Sequence, residues 1–145
     1  MEVKDVMTQD VIMCSGKELV HDALRQMIES DVGCIVVEKD GKPVGILTNT
    51  DVITRVVLPR KDAAQMEVRD IMTSPVASVH TLANLSEAVA LMNKHQVKRL
   101  VVLSDNTGTI AGLVSTTDLV VAESKLLGTL QNYIRYMKGE CDCNK

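Results

Sequence analysis

The sequence contains no Phe, no Trp and two Tyr, Tyr133 and Tyr136, both within its last fifteen residues. An interior built without aromatic rings must be packed from Val, Leu, Ile, Met and Ala. The same shortage excludes a single-strand nucleic-acid platform, which stacks bases on aromatic side chains. A basic excess is also missing. Sixteen Lys and Arg stand against nineteen Asp and Glu, for a formal net charge of −3, and this gives no reason to expect a nucleic-acid partner. No apolar run approaches the length of a membrane span, and Met1 leads straight into "EVKDVM" without a signal-peptide hydrophobic region. Of four cysteines, Cys14 and Cys34 lie in apolar, strand-like segments and Cys141 and Cys143 in the tail, a usage that suits reduced thiols better than a disulfide framework. The expectation is a cytoplasmic protein with no membrane partner.

Catalytic signatures are missing as well. "GILTNTD" lacks the Lys a P-loop requires, no G-x-G-x-x-G occurs, and no nucleophile stands beside a base, so catalysis is not expected. His21, His80 and His95 are scattered, neither His21 nor His95 has a Cys or acid at metal-ligand spacing, and all three read as surface residues. The "CDC" of Cys141 and Cys143 offers two thiolates where a metal needs about four ligands. A tail, a metal site shared across a symmetric dimer and a redox-sensitive pair all stay open for it. No cofactor is required by anything in the chain.

What is present is a repetition. "GILTNTD" at 45–51 is answered by "GLVSTTD" at 112–118. Laying residues 3–38 over 68–103 gives ten identities, among them Val3/Val68, Asp5/Asp70, Met7/Met72, Thr8/Thr73, Ala23/Ala88 and Met27/Met92. The second copy then gains two residues between "KDGKP" and "SDNTGT", an insertion of the kind a hairpin turn tolerates. The chain is an internal duplication.

Each copy carries one pattern. Val11–Met13 and Val76–Val79 read as short strands. Residues 18–30, with Leu19, Val20, Ala23, Leu24, Met27 and Ile28 at helical spacing, read as a helix, and Leu85, Ala88, Val89 and Met92 repeat it. "CIVVE" and "RLVVL" follow, then a turn and the strands "PVGILT" and "IAGLVS", then a helix after each seven-residue motif. The unit is β-α-β-β-α, and two such units would pack sheet to sheet about a pseudo-twofold axis in an α+β fold. The reading places repeat 1 at 1–58, a linker at 59–67, repeat 2 at 68–123, and a C-terminal helix extension and tail at 124–145. In that extension Leu126, Leu130, Ile134 and Met137 continue a stripe begun by Leu119 and Ala122, weakened at Gly128.

A hydroxyl followed three residues later by an acid at a strand-to-helix junction forms a capping box, with Thr48 or Ser115 as the cap and Asp51 or Asp118 in the first turn. The same geometry serves a ligand. A helix N-terminus attracts phosphate, the hydroxyls of Thr48, Thr50, Ser115 and Thr117 can donate to phosphate or sugar, and an Asp there can accept from ribose hydroxyls. The two uses are compatible.

A duplicated unit that opens "VxDhMT", closes "Ghh[ST]xxD" and spans sixty-odd residues resembles the CBS domain, which occurs in pairs called Bateman modules. The resemblance covers residues 3 to about 123. It implies two pseudosymmetric clefts between the repeats that take adenosine-containing ligands: AMP, ADP, ATP or S-adenosylmethionine. By that resemblance Asp51 and Asp118 would each hold the ribose hydroxyls of one site, with Thr48 and Thr50, and Ser115 and Thr117, approaching ribose and phosphate. Thr8, Val11 and Ile12, and Thr73, Pro75, Val76 and Ala77, would line the base. With no aromatic available, adenine would be sandwiched between aliphatic side chains.

The two sites are not expected to be equivalent. "VKRLVV" places Lys98 and Arg99 where family members commonly meet phosphate, whereas the first copy has Gly33 and Cys34. Arg99 can bind phosphate bidentately and Lys98 as a point charge. Family geometry assigns Arg99 to the Asp118 site and lets Lys98 lean toward the Asp51 site, which favours Asp118 as the main phosphate-bearing site. The functional expectation is a regulatory module, a homodimer through the helices after each Asp, whose ligand-dependent geometry is read by an unidentified partner protein. The alternative is a constitutive interaction scaffold with vestigial clefts. A nucleic-acid accessory role would need steeply salt-dependent binding.

Overall fold

The computed structural model describes residues 1–124 and Ile134. The stripe residues Leu126, Leu130 and Met137, Gly128 and the Cys141/Cys143 pair lie outside the described residues. In the first repeat a short helix α1 (Val3–Val6) precedes β1 (Met13–Ser15), α2 (Val20–Glu29), β2 (Cys34–Lys39), β3 (Lys42–Thr48) and α3 (Asn49–Val52), which continues as a π-helical turn over Ile53–Val57. Single 3-10 turns at Ala63–Gln65 and Val68–Asp70 lead to β4 (Ser78–His80), α4 (Leu85–His95), β5 (Arg99–Leu103), β6 (Ile110–Ser115) and α5 (Thr116–Ser124).

Each repeat forms one three-stranded sheet, β1-β2-β3 and β4-β5-β6, in which the first pair is parallel and the second antiparallel. The first strands begin two residues later than the apolar pattern predicts. Ile12 and Ala77 only lend a carbonyl oxygen to Val36 and Val101, and the full ladder starts at Met13 and Ser78.

The central strands explain the architecture. Ile35 and Val37 join Val20, Ala23 and Met27 of α2 in one core, and Leu100 and Val102 join Ala88 and Met92 of α4 in another. Successive strand residues face opposite ways, so Val36 and Val101 point away from the helices. Both are nevertheless 0% exposed. Each sheet is thus covered on one face by its helices and on the other by the second sheet. At the hairpin tips the repeats also touch, Ile110 N–H donating to Gly41 O at 3.3 Å.

The opening segments are exchanged. Val3, Val6 and Met7 pack into the core of the second repeat, while Val68, Ile71 and Met72 pack into that of the first. Main-chain pairs fasten the exchange: Thr8 with Leu113 (2.8 and 2.9 Å) and Thr73 with Ile46 (2.9 and 3.0 Å). Asp5 and Asp70 cap these openings by accepting from the N–H of Glu2 and Glu67. The connection at 59–67 is not loose either, since Ala63 and Met66 lie against the first core. Val3 and Val68 are both 0% exposed. Burying one such side chain contributes about 1.5–3 kcal/mol, so each repeat draws part of its stability from the other's first residues.

Candidate ligand site between the repeats

Both seven-residue motifs end a strand on a hydroxyl residue and begin a helix on the next. At the first, the capping box expected from the spacing is complete: Asp51 N–H donates to Thr48 Oγ1 (3.3 Å), and Thr48 N–H donates to Asp51 Oδ2 (2.9 Å). The second repeats it, with Asp118 N–H to Ser115 Oγ at 3.2 Å and Ser115 N–H to Asp118 Oδ2 at 2.9 Å. The opening segment of the other repeat passes each junction. Thr73 reaches Asp51, its hydroxyl donating to Oδ1 at 2.9 Å. Thr8 bridges to Leu113, two residues before Ser115.

The glycine of each motif follows from that crossing. A Cβ on Gly112 would stand 2.6 Å from the Thr8 carbonyl oxygen and 2.8 Å from Met7 Sδ; one on Gly45 would run into the Met72 side chain. Only a residue without a side chain lets the segments pass so closely.

The sequence-predicted residues fall into smaller groups than expected. Thr48, Asp51 and Thr73 are joined by hydrogen bonds, as are Ser115 and Asp118. Thr50 is exposed and its carbonyl accepts from Thr54; Thr117 is half-buried beside Asp118 in the first turn of α5. Ile12 and Ala77 turn into the cores of their own repeats. Alternation leaves Val11 and Val76, both half-buried, on the other face of those segments, with Thr8, Thr73 and Pro75 exposed.

The basic pair divides differently from the expectation. Leu100 faces the helices, so Arg99 faces the seam between the sheets. There its Nη2 lies 3.7 Å from where a Cβ on Gly33 would sit, and Asn49 Nδ2 lies 3.5 Å from the same point. Arg99 therefore leans toward the junction that holds Asp51, not toward Asp118, and the absent side chain of Gly33 leaves it the room. Lys98 lines a groove between α4 and α5 with Thr116, Leu119 and Val120, on the outer side of the second repeat. Among the described residues neither cation has a carboxylate within ion-pair distance. Cys34 shares the seam. Burial pushes its thiol up, and the positive charge of Arg99 works against that. Cys14 is buried in the first core, where burial raises its thiol to about 12.

Arg55 was not singled out by the sequence pattern. From the π-helical turn after α3 its Nη1 donates to the carbonyl oxygens of Ile71 (3.0 Å) and Met72 (2.9 Å), the residues just before Thr73. The available signal was the asymmetry of the repeat, because Ala122 stands at the corresponding place.

Comparison with known proteins agrees with this arrangement. The CBS domain family matches twice, over residues 3–58 and 68–125. An uncharacterized protein of Methanopyrus kandleri is 32% identical over 142 residues, which is 97% of this chain and 71% of that protein. The crystal structure of an uncharacterized conserved protein from Pyrococcus horikoshii aligns with a TM-score of 0.73 at 31% identity, covering 84% of this chain and 91% of that one. A CBS domain pair crystallised with 5′-methylthioadenosine and S-adenosyl-L-methionine shares the fold, with a TM-score of 0.72 at 22% identity over 89% of this chain and 97% of that one. Two interlocked copies of one unit, each closing on a hydroxyl-capped Asp, are a tandem pair of CBS domains, and this chain belongs to that family.

Proposed function

We propose that the protein is a regulatory module that binds an adenosine-containing ligand in the clefts between its two repeats and signals through their relative placement or through its oligomeric state. One observation carries the reading. Each capped Asp lies at a junction crossed by the other repeat's opening segment, so a ligand held there touches both repeats at once. Ribose hydroxyls would be accepted by Asp51 and Asp118, with Thr48, Thr50, Ser115 and Thr117 around the sugar and Val11 and Val76 against the base. Arg99, whose guanidinium has no carboxylate partner among the described residues, would meet a phosphate on the Asp51 side, the reverse of the assignment drawn from the sequence. In the first repeat Gly33 and Cys34 stand where the second has Lys98 and Arg99, so it supplies no cation equivalent to Arg99. The relative that holds S-adenosyl-L-methionine and 5′-methylthioadenosine supports the ligand class. Bridging ligands shift a conformational equilibrium only as far as the two states differ in affinity.

A homodimer is part of the proposal. Ile53, Val57 and Leu58 after Asp51, and Val120 after Asp118, are 46–70% exposed on the helices that follow each motif. The scaffold reading retains one supporting observation, the occupied carboxylate of Asp51. Calorimetric titration of AMP, ADP, ATP and S-adenosylmethionine into ligand-stripped protein separates the two. Binding that is lost in the double variant Asp51→Ala/Asp118→Ala, with the circular dichroism unchanged, is the expected result. Absence of heat from all four, with the fold intact, would leave the scaffold.

A further inference from the structure

We infer that the two clefts are set differently by the chain itself: Thr73 and Arg55 latch the Asp51 cleft shut, while the Asp118 cleft stands open. The inference rests on the reading of both as adenosine clefts.

Both carboxylate oxygens of Asp51 are taken. Oδ2 accepts from the N–H and hydroxyl of Thr48 (2.9 and 3.1 Å), and Oδ1 accepts from Thr73 Oγ1 (2.9 Å), leaving the residue 6% exposed. Thr73 belongs to the second repeat and Asp51 to the first, so this bond ties the repeats together. One helical turn on, Arg55 grips the carbonyls of Ile71 and Met72, which fixes the segment that presents the Thr73 hydroxyl. The pseudosymmetric site has neither fastening. Among the described residues Asp118, which is half-buried, accepts only from Ser115 N–H, the Thr8 hydroxyl makes no bond to it, and Ala122 stands in the place of Arg55.

A ribose diol brings two donors. Asp118 offers it an Oδ1 that no described residue engages, whereas Asp51 must first release Thr73. Giving up a hydrogen bond to a charged group weakens binding by about tenfold or more. A ligand therefore fills the Asp118 cleft first and the Asp51 cleft only at higher concentration. Filling the second breaks a bond between the repeats, so the latched cleft is the one whose occupancy alters how they are joined. Arg99, leaning to that side, favours a phosphorylated ligand as the one able to displace Thr73.

AMP titrations of the wild type, Thr73→Val and four further proteins test this. Asp118→Ala isolates the Asp51 cleft and Asp51→Ala isolates the Asp118 cleft, and each is compared with and without Thr73→Val, which keeps the side-chain shape and the main-chain bridge to Ile46. Thr73→Val should tighten AMP binding about tenfold in the Asp118→Ala protein and leave it unchanged in the Asp51→Ala protein. Arg55→Ala should act in the same direction, and it replaces Thr73→Val if that variant does not fold. Equal affinities with and without Thr73→Val overturn the latch while the binding reading stands. So do equal changes in both backgrounds, two equivalent AMP sites in the wild type, or one site that Thr73→Val cannot increase. No AMP binding by the wild type or any variant overturns the binding reading, and the latch with it.

Discussion

Asp51 and Asp118 hold the same place in the two motifs, and the spacing shows both as capping acids. It does not show that their carboxylates face different surroundings. The partner of Asp51 is Thr73, twenty-two residues away, and a hydrogen bond between repeats leaves no periodic trace in the sequence. The difference has a thermodynamic consequence independent of any ligand. Asp51→Ala strands the Thr48 N–H and removes the acceptor of Thr73 at a 6% exposed position, and leaving such groups unpaired costs about 1–3 kcal/mol. Asp118→Ala loses the one bond from Ser115 N–H and leaves no donor of the other repeat without its acceptor. Urea denaturation should therefore give a clearly lower midpoint for Asp51→Ala than for Asp118→Ala. Equal midpoints would mean that the Thr73 bond adds nothing to stability.

At the scale of elements, apolar periodicity was enough to locate α2, α4, the central strands and the helices after each motif. It set β1 and β4 two residues early, because an apolar residue can border a strand without joining its ladder. The exchange of opening segments was not legible at all. Val3 and Val68 announce that their segments bury an apolar face, but duplication has made the two cores so alike that pattern cannot say which core receives which segment. The motif glycines carried the hidden signal, since each marks a close passage of the other repeat. The two passages are not equally tolerant. At Gly112 a new methyl would meet the main-chain oxygen of Thr8, which is itself bridged to Leu113; at Gly45 it would meet the flexible side chain of Met72. Gly112→Ala should cost about 1–3 kcal/mol as an overpacking change, and Gly45→Ala less, because a methionine can rotate aside. Thermal melts of the two variants decide it, and a Gly45→Ala protein that melts below Gly112→Ala would show that Met72 is the more rigid neighbour.

For the whole molecule, exchanged openings and touching hairpins mean that neither repeat has a complete core of its own. The apolar surface that remains lies elsewhere. The α3 side exposes Ile53, Val57 and Leu58, and the α5 side exposes Val120, with Val89 beside it on α4 at 52%. Ile53 and Val120 hold corresponding places in the two repeats, and a closed symmetric pair brings the same patch of two copies together. Contiguous exposed apolar side chains mark contact sites, and the proposed homodimer would cover these. Light scattering on the purified protein should give a mass near twice 15.8 kDa. The variant Val57→Glu/Val120→Glu places unpaired carboxylates in the contact, where burying them without partners is strongly unfavourable. It should elute as a 15.8 kDa monomer with unchanged circular dichroism. A dimer that survives both substitutions would put the contact on another face and separate it from the helices that carry Asp51 and Asp118. If the variant is monomeric and its AMP affinity differs from that of the parent dimer, ligand and assembly are linked, since reciprocity requires the ligand to shift the dimer equilibrium by the same factor.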